Sequence, residues 1–178
     1  VLEYQKKAGL SSADSIAGAE TLNSVFDSTN KLTKENATFT KLKGSVVLLD
    51  WFKGGSDWLN KGAKFTVTDV RTGKSFRARR FGGWYHADSE PITKEDTAVM
   101  KSLEGFSWNR RPIWVTYSGK TVAASMHTMP HMANPTKSNG FDGHFCIHLL
   151  NSKVHANSKA CPRHQACVQE AYRAGKAK

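Results

Sequence analysis

The sequence contains no apolar run near the ~18 residues that a membrane-crossing helix requires, which argues against a helical membrane span. No secretory leader is visible. The chain opens at Val1 rather than at a methionine, so that absence is silent on localisation. No internal repeat is evident. Acidic residues are few, 15 against 26 lysines and arginines, for a formal net charge of +11. Such a surplus favours an anionic partner: nucleic acid, a membrane surface or an anionic wall polymer. The basic residues are spread along the chain rather than held in one arm, so the plain alternative is a surface that serves solubility. No nucleic-acid-binding motif is recognisable, which makes nucleic acid the least favoured partner.

Cysteine is scarce as well: Cys146, Cys161 and Cys167. A helix running through all of "CPRHQAC" points the last two side chains apart. A helix starting at Pro162 leaves Cys161 outside it, free to fold back onto Cys167. Pairing of those two leaves Cys146 as an odd thiol; the alternative is that Cys161 and Cys167 are two free, half-buried thiols.

What is present divides into two parts. Residues 1–40 are rich in Ser, Thr, Asn, Ala and Lys and read as a polar linker or peripheral arm, with one weak helix over "SSADSIAGAETLNSVF". Residues 41–178 read as a single catalytic-type domain. There "SVVLLDWF" is a β-rich run. "AKFTVTDV" and "KSFRARRFG" flank the turn "RTG", and "PIWVTY" and "KTVAASM" flank Ser118-Gly119, giving two hairpins. "TKEDTAVMKSLEG" carries a capping-box pair, Thr93 and Asp96, and a terminating Gly105. A last helix spans Pro162 to Ala174, with Gly175 beyond its end. The expected class is α+β: a hairpin-rich, mostly antiparallel sheet, small sandwich or barrel, with two or three peripheral helices.

Six of the seven histidines fall between residues 127 and 164, and the seventh is His86 in "GGWYHADSEP". Read as a strand, "HFCIHLL" places His144, Cys146 and His148 on one face, and Phe145, Ile147 and Leu149 on the other, towards a core. Read as a helix, it brings His144 and His148 together at a metal-ligand spacing; its β-branched and aromatic content favours the strand. Upstream, "SMHTMPH" alternates His127, Met129 and His131 against Thr128 and Pro130. The irregular loop "MANPTKSNGFDG" would bring His131 to Cys146 if it doubles back. A cysteine nucleophile needs an imidazole to take its proton and backbone N–H groups to hold the oxyanion. The plain reading is a buried cysteine among surface histidines.

The stretch "PHMANPTKSNGFDGHFCIH" resembles the catalytic signature of bacterial L,D-transpeptidases over about 20 residues. His131 matches the family's upstream histidine, His144 the histidine two before the nucleophile, Cys146 the nucleophile and Ile147 the aliphatic position. Three positions depart: Gly143 stands where Ser or Thr is usual, Phe145 where glycine is, and His148 where Arg or Asn is. The run from "RTGKSFRARRFGGWYHADSEP" through "WNRRPIWVTYSGKTVAASM" to "GHFCIHLLNSKVH" is also similar to a domain of secreted bacterial wall proteins that accompanies peptidoglycan-binding modules. The resemblance implies a secreted, wall-located protein with a β-sandwich-like domain that needs no cofactor. Cys146 would attack a stem-peptide carbonyl, with His131 as base and His144 orienting it. His148, Trp84, Arg110, Arg111 and Asn151 are the expected substrate contacts.

Two other readings stand beside this one. His86, Asp88, His144, His148 and His155 are all plausible zinc ligands, and a catalytic zinc needs three protein ligands and a water; that is the pattern of a zinc peptidoglycan amidase or peptidase. His86 is pivotal, because the transpeptidase signature gives it no part. The third reading is a non-catalytic module: tryptophans beside basic residues in "WNRRPIW" and "RRFGGWY" stack on sugars or bases, and Arg79-Arg80 and Arg110-Arg111 bind phosphates or carboxylates.

Overall fold

Alternating apolar residues in six short strands set the architecture, seen in a computed structural model that describes residues 46–176. The polar arm and weak helix expected over 1–40 lie outside the described residues. The first hairpin joins β1 (Lys64–Asp69) to β2 (Ser75–Gly82), and the second joins β4 (Arg111–Tyr117) to β5 (Lys120–Met126). Ser118 and Gly119 both have positive φ, 47° and 72°, which is the two-residue turn whose twist suits an antiparallel pair. Between the hairpins come β3 (Ala87–Pro91) and helix α1 (Lys94–Glu104); β6 (Phe145–His148) and helix α2 (Pro162–Lys176) follow.

All strand pairs are antiparallel, and the order β1-β2-β3-β6-β5-β4 closes into a barrel through β1–β4. The α+β class with antiparallel β and few helices is therefore what the chain adopts. Inside, large side chains meet small ones across the ladders: Phe65 opposite Ala78, Ile113 opposite Ala124, and Ile147 opposite Ala87. Such large-to-small pairing suits the side-chain-filled interior of a small barrel. Phe145, Ile147 and Leu149 are all fully buried in that core, as the sided-strand reading requires. A smaller cluster lies outside the barrel, where α2 covers β4 and β5. Trp114 packs there with Val46, Val70, Ala123 and Ala171, and its Nε1 donates to Ala171 O at 2.9 Å.

α1 has the expected capping box: Thr93 Oγ1 accepts from Asp96 N at 3.2 Å, and Asp96 Oδ2 accepts from Thr93 N at 3.1 Å. Two expectations need correction. "SVVLLDWF" is not a ladder strand. It makes only isolated parallel bridges, Val47 to Val122 and Asp50 to Leu150. The Asp50 side chain then accepts from Phe52 N, and its carbonyl accepts from Lys53 N and Gly55 N, so the chain turns. α2 does not stop before Gly175 but includes it. A Cβ there would run into the Val46 side chain, so this glycine permits close packing rather than ending a helix. Of the two cysteine alternatives the sequence leaves open, the unpaired one holds: Cys161 and Cys167 are free thiols, as is Cys146.

No helix among the described residues is long and apolar enough to cross a membrane.

Candidate active site

β6 is sided. With its odd-numbered residues in the core, His144, Cys146 and His148 leave the barrel on its outer face. β3 runs antiparallel beside it and sets Asp88 directly opposite Cys146, while β5 on the other side sets Ser125 opposite His148. The chain leaving β5 then folds back on β6. His131 and His144 form a two-bond bridge, His131 N to His144 O at 3.1 Å and His144 N to His131 O at 2.9 Å. Gly143 makes this approach feasible: its φ is 143°, and a Cβ there would lie 2.5 Å from His131 N. The position where the transpeptidase signature has Ser or Thr therefore has no room for a side chain in this chain.

The consequence is a compact reactive group. Cys146 Sγ lies 3.6 Å from His131 Nε2 and 4.0 Å from Asp88 Oδ1. Asp88 Oδ1 lies 3.3 Å from His86 Nε2 and 3.8 Å from His144 Nε2. The tautomers follow from the outer contacts. Nδ1 of His86, His131 and His144 faces the carbonyls of Lys153, Met129 and Ala133 at 2.7, 3.1 and 3.1 Å. A carbonyl only accepts, so each Nδ1 carries a proton. Each Nε2 is then the nitrogen aimed inward, at Cys146 from His131 and at Asp88 from His86 and His144.

These groups line a cavity of about 360 Å³ whose wall includes six of the seven histidines. The seventh, His148, stands behind the wall, stacked on His164 at 3.8 Å between ring centroids and on His86 at 4.5 Å. Ser125 Oγ and His164 Nδ1, 2.8 Å apart, tie this stack to α2. At the rim, Trp108 is 48% exposed and Met132 83% exposed.

Burial dominates the electrostatics. It pushes the Cys146 thiol well above its ordinary range, and the Asp88 carboxylate adds to that push. Burial also lowers His144, drives His148 far down, and takes His127 to about 2 and His164 to about 3. Asp88 is different: burial raises it, but the His86 contact and the histidines around it outweigh that and hold it below the usual carboxylate range. The resting site is thus a protonated thiol beside an ionised carboxylate, with His127, His144, His148 and His164 held neutral by burial.

The structure therefore brings together Cys146, His131, His144, His86 and Asp88. His155 and Arg110 line the same cavity, and Arg110 Nε is buried without a partner among the described residues. The other expected contacts lie elsewhere. Arg111 is no substrate ligand: it is buried and bound to Asp69 through both Nε and Nη2, at 2.8 and 2.9 Å, and to Glu104 at 3.0 Å. Asn151 sits in an exposed turn, tied to Asp50 and Gln165. Trp84 is 79% exposed and serves through its carbonyl, which accepts from Trp51 Nε1. His148, offered both as a substrate contact and as a zinc ligand, is occupied by the ring stack and lies outside the cavity wall. Sequence reasoning passed over His127, His164, Trp108 and Met132 as site residues. The clustering of histidines was the available signal for the first two.

Two groups offer cation ligands within 4.8 Å of one another: His86, Asp88 and Cys146, and His127, His131 and Cys146. No family model, no curated protein and no solved structure matches this chain.

Proposed function

We propose that the chain is a peptidoglycan-modifying cysteine acyltransferase of the L,D-transpeptidase type, acting in the bacterial wall. The observation that carries this reading is the 3.6 Å approach of Cys146 Sγ to Nε2 of His131, whose other nitrogen is pinned to Met129 O. An imidazole so held accepts a proton from the thiol without turning away.

The thiol rests protonated, so deprotonation accompanies attack. Cys146 Sγ bonds to the substrate acyl carbon while His131 Nε2 takes the thiol proton. The tetrahedral adduct collapses, the peptide C–N bond breaks, and His131 returns the proton to the leaving amine. A thioester remains. An acceptor amine, or water, then attacks the thioester, passes a proton through His131, and restores the thiol. His144, bridged to His131 through the backbone, keeps that imidazole in place.

Substrate class rests on less direct support. The motif around Cys146 resembles enzymes that act on wall stem peptides, the chain carries +11 formal charges suited to anionic wall polymers, and Arg110 in the cavity wall suits a carboxylate. Trp108 and Met132 offer an apolar rim to the aliphatic part of a peptide. The test is incubation of the full chain with purified muropeptides. Exchange or release of the terminal residue is expected, absent in Cys146→Ala and strongly reduced in His131→Ala. Unaltered muropeptides under all conditions would refute the reading.

A further inference from the structure

The part of the cavity formed by β3 and β6 has a feature that thiol chemistry leaves unexplained. Asp88 Oδ1 faces His86 Nε2 at 3.3 Å and His144 Nε2 at 3.8 Å. The ring proton of His86 is committed to Lys153 O and that of His144 to Ala133 O. Each ring therefore turns its other nitrogen, Nε2, towards the Asp88 carboxylate, and Cys146 Sγ closes on the same oxygen at 4.0 Å. The transpeptidase-type chemistry gives His86 and Asp88 no part, yet nitrogen, oxygen and sulfur donors converge here within 4.8 Å of one another.

We infer that a divalent cation of the zinc class binds here, held by His86 Nε2, the Asp88 carboxylate and the Cys146 sulfur, and that it silences Cys146 as a nucleophile. The second half rests on the cysteine reading given above; the first does not. The three ligand atoms lie within 4.8 Å of one another. Zinc–ligand bonds of about 2.0–2.3 Å in a tetrahedron set ligand–ligand edges of roughly 3.3–3.8 Å. The observed 3.3 Å from His86 to Asp88 and 4.0 Å from Asp88 to Cys146 are therefore close to a formed site. The carbonyl tether on His86 Nδ1 is the outer contact that fixes a metal-binding imidazole. A nitrogen, oxygen and sulfur donor set selects zinc, cobalt(II) or cadmium over magnesium and calcium.

Binding is balanced as Cys146–SH plus M²⁺ giving Cys146–S–M plus H⁺. The sulfur electron pair then lies in the S–M bond, and His131 has no thiol proton left to take. Cation binding and acyl transfer by Cys146 are mutually exclusive.

The full chain, stripped of metal, is titrated with Co²⁺ and, separately, alkylated with iodoacetamide with and without Zn²⁺, following Cys146 by peptide mapping. One Co²⁺ per chain with a thiolate-to-cobalt absorption band is expected. Zn²⁺ should slow Cys146 alkylation at least about ten-fold, and a chelator should restore it. Asp88→Asn and His86→Ala should each weaken Co²⁺ binding by at least about ten-fold while Cys146 remains alkylatable. Asp88→Asn keeps the side-chain shape and serves if His86→Ala does not fold. Cobalt bound without the absorption band, Cys146 unprotected by zinc, or full protection in Asp88→Asn would each overturn the inference. None of these readouts uses a peptide substrate, so the site and the acyl-transfer reading fail or stand separately.

Discussion

Asp88 and Cys146 face each other across the β3–β6 pair, with Oδ1 4.0 Å from Sγ. Burial raises the thiol and this carboxylate raises it further. In metal-free protein, Asp88→Asn removes the second cause. Its Cys146 should alkylate faster than the wild type at neutral pH, with the inflection of the pH–rate profile moved to lower pH. An unmoved profile would show that burial alone sets the thiol.

Gly143 is the second test. Any Cβ there meets the His131 backbone and must adopt a φ of 143°. Gly143→Ala should cost about 1–3 kcal/mol in stability through overpacking and disturb the His131–His144 bridge. Displacing a catalytic group by about 1 Å costs on the order of 10²-fold in rate, so acyl transfer should fall by about that factor. Denaturant unfolding and a single-turnover assay read the two effects.

Arg111 separates structure from function. It neutralises the fully buried Asp69, with Glu104 as a third partner. Arg111→Ala leaves a buried carboxylate unpaired, which costs about 3–5 kcal/mol. Arg110→Ala, at the cavity wall, should leave the unfolding free energy within about 0.5 kcal/mol of the wild type and raise KM for a substrate bearing a free carboxylate. Equal effects of the two substitutions on unfolding would contradict this division.

The histidines make the fold acid-sensitive. Burial holds His127 at about 2 and His164 at about 3, and lowers His144 and His148. In the unfolded chain each titrates near about 6.5. Above that value both states are neutral and the contribution is fully present. As pH falls from there towards the folded values, only the unfolded chain takes up protons. Stability then drops by up to about 1.4 kcal/mol per pH unit for each histidine. Urea unfolding should therefore show a loss of about 2–4 kcal/mol between pH 7 and pH 5 from His127 and His164 alone. A flat profile over that range would contradict the buried, neutral assignment.

The hairpins, the capping box of α1 and the sidedness of β6 were legible because each is a local pattern: period-two alternation, a Thr-x-x-Asp spacing, a turn with two positive φ values. β3 was not. "ADSEP" has little β-propensity, and it is a strand because β2 and β6 pair with it on both sides. That pairing is what puts Asp88 opposite Cys146, so the carboxylate's effect on the thiol lay beyond local pattern. "SVVLLDWF" failed in the reverse sense: its apolar β-branched run is right for a strand, but Asp50 folds the chain into a turn. Arg110 and Arg111 look alike in sequence, and only the buried Asp69 across the β1–β4 pair tells them apart. His164 reaches the site from α2, and no spacing within one element predicts that.

The central claim is that Cys146 carries the acyl group. Intact-protein mass spectrometry after mixing metal-free chain with a stem tetrapeptide, quenched in acid, tests it most directly. The account predicts a mass increase equal to the acyl fragment on Cys146, absent in Cys146→Ala and strongly reduced in His131→Ala. Peptide turnover that persists in Cys146→Ala and disappears on chelation would contradict it.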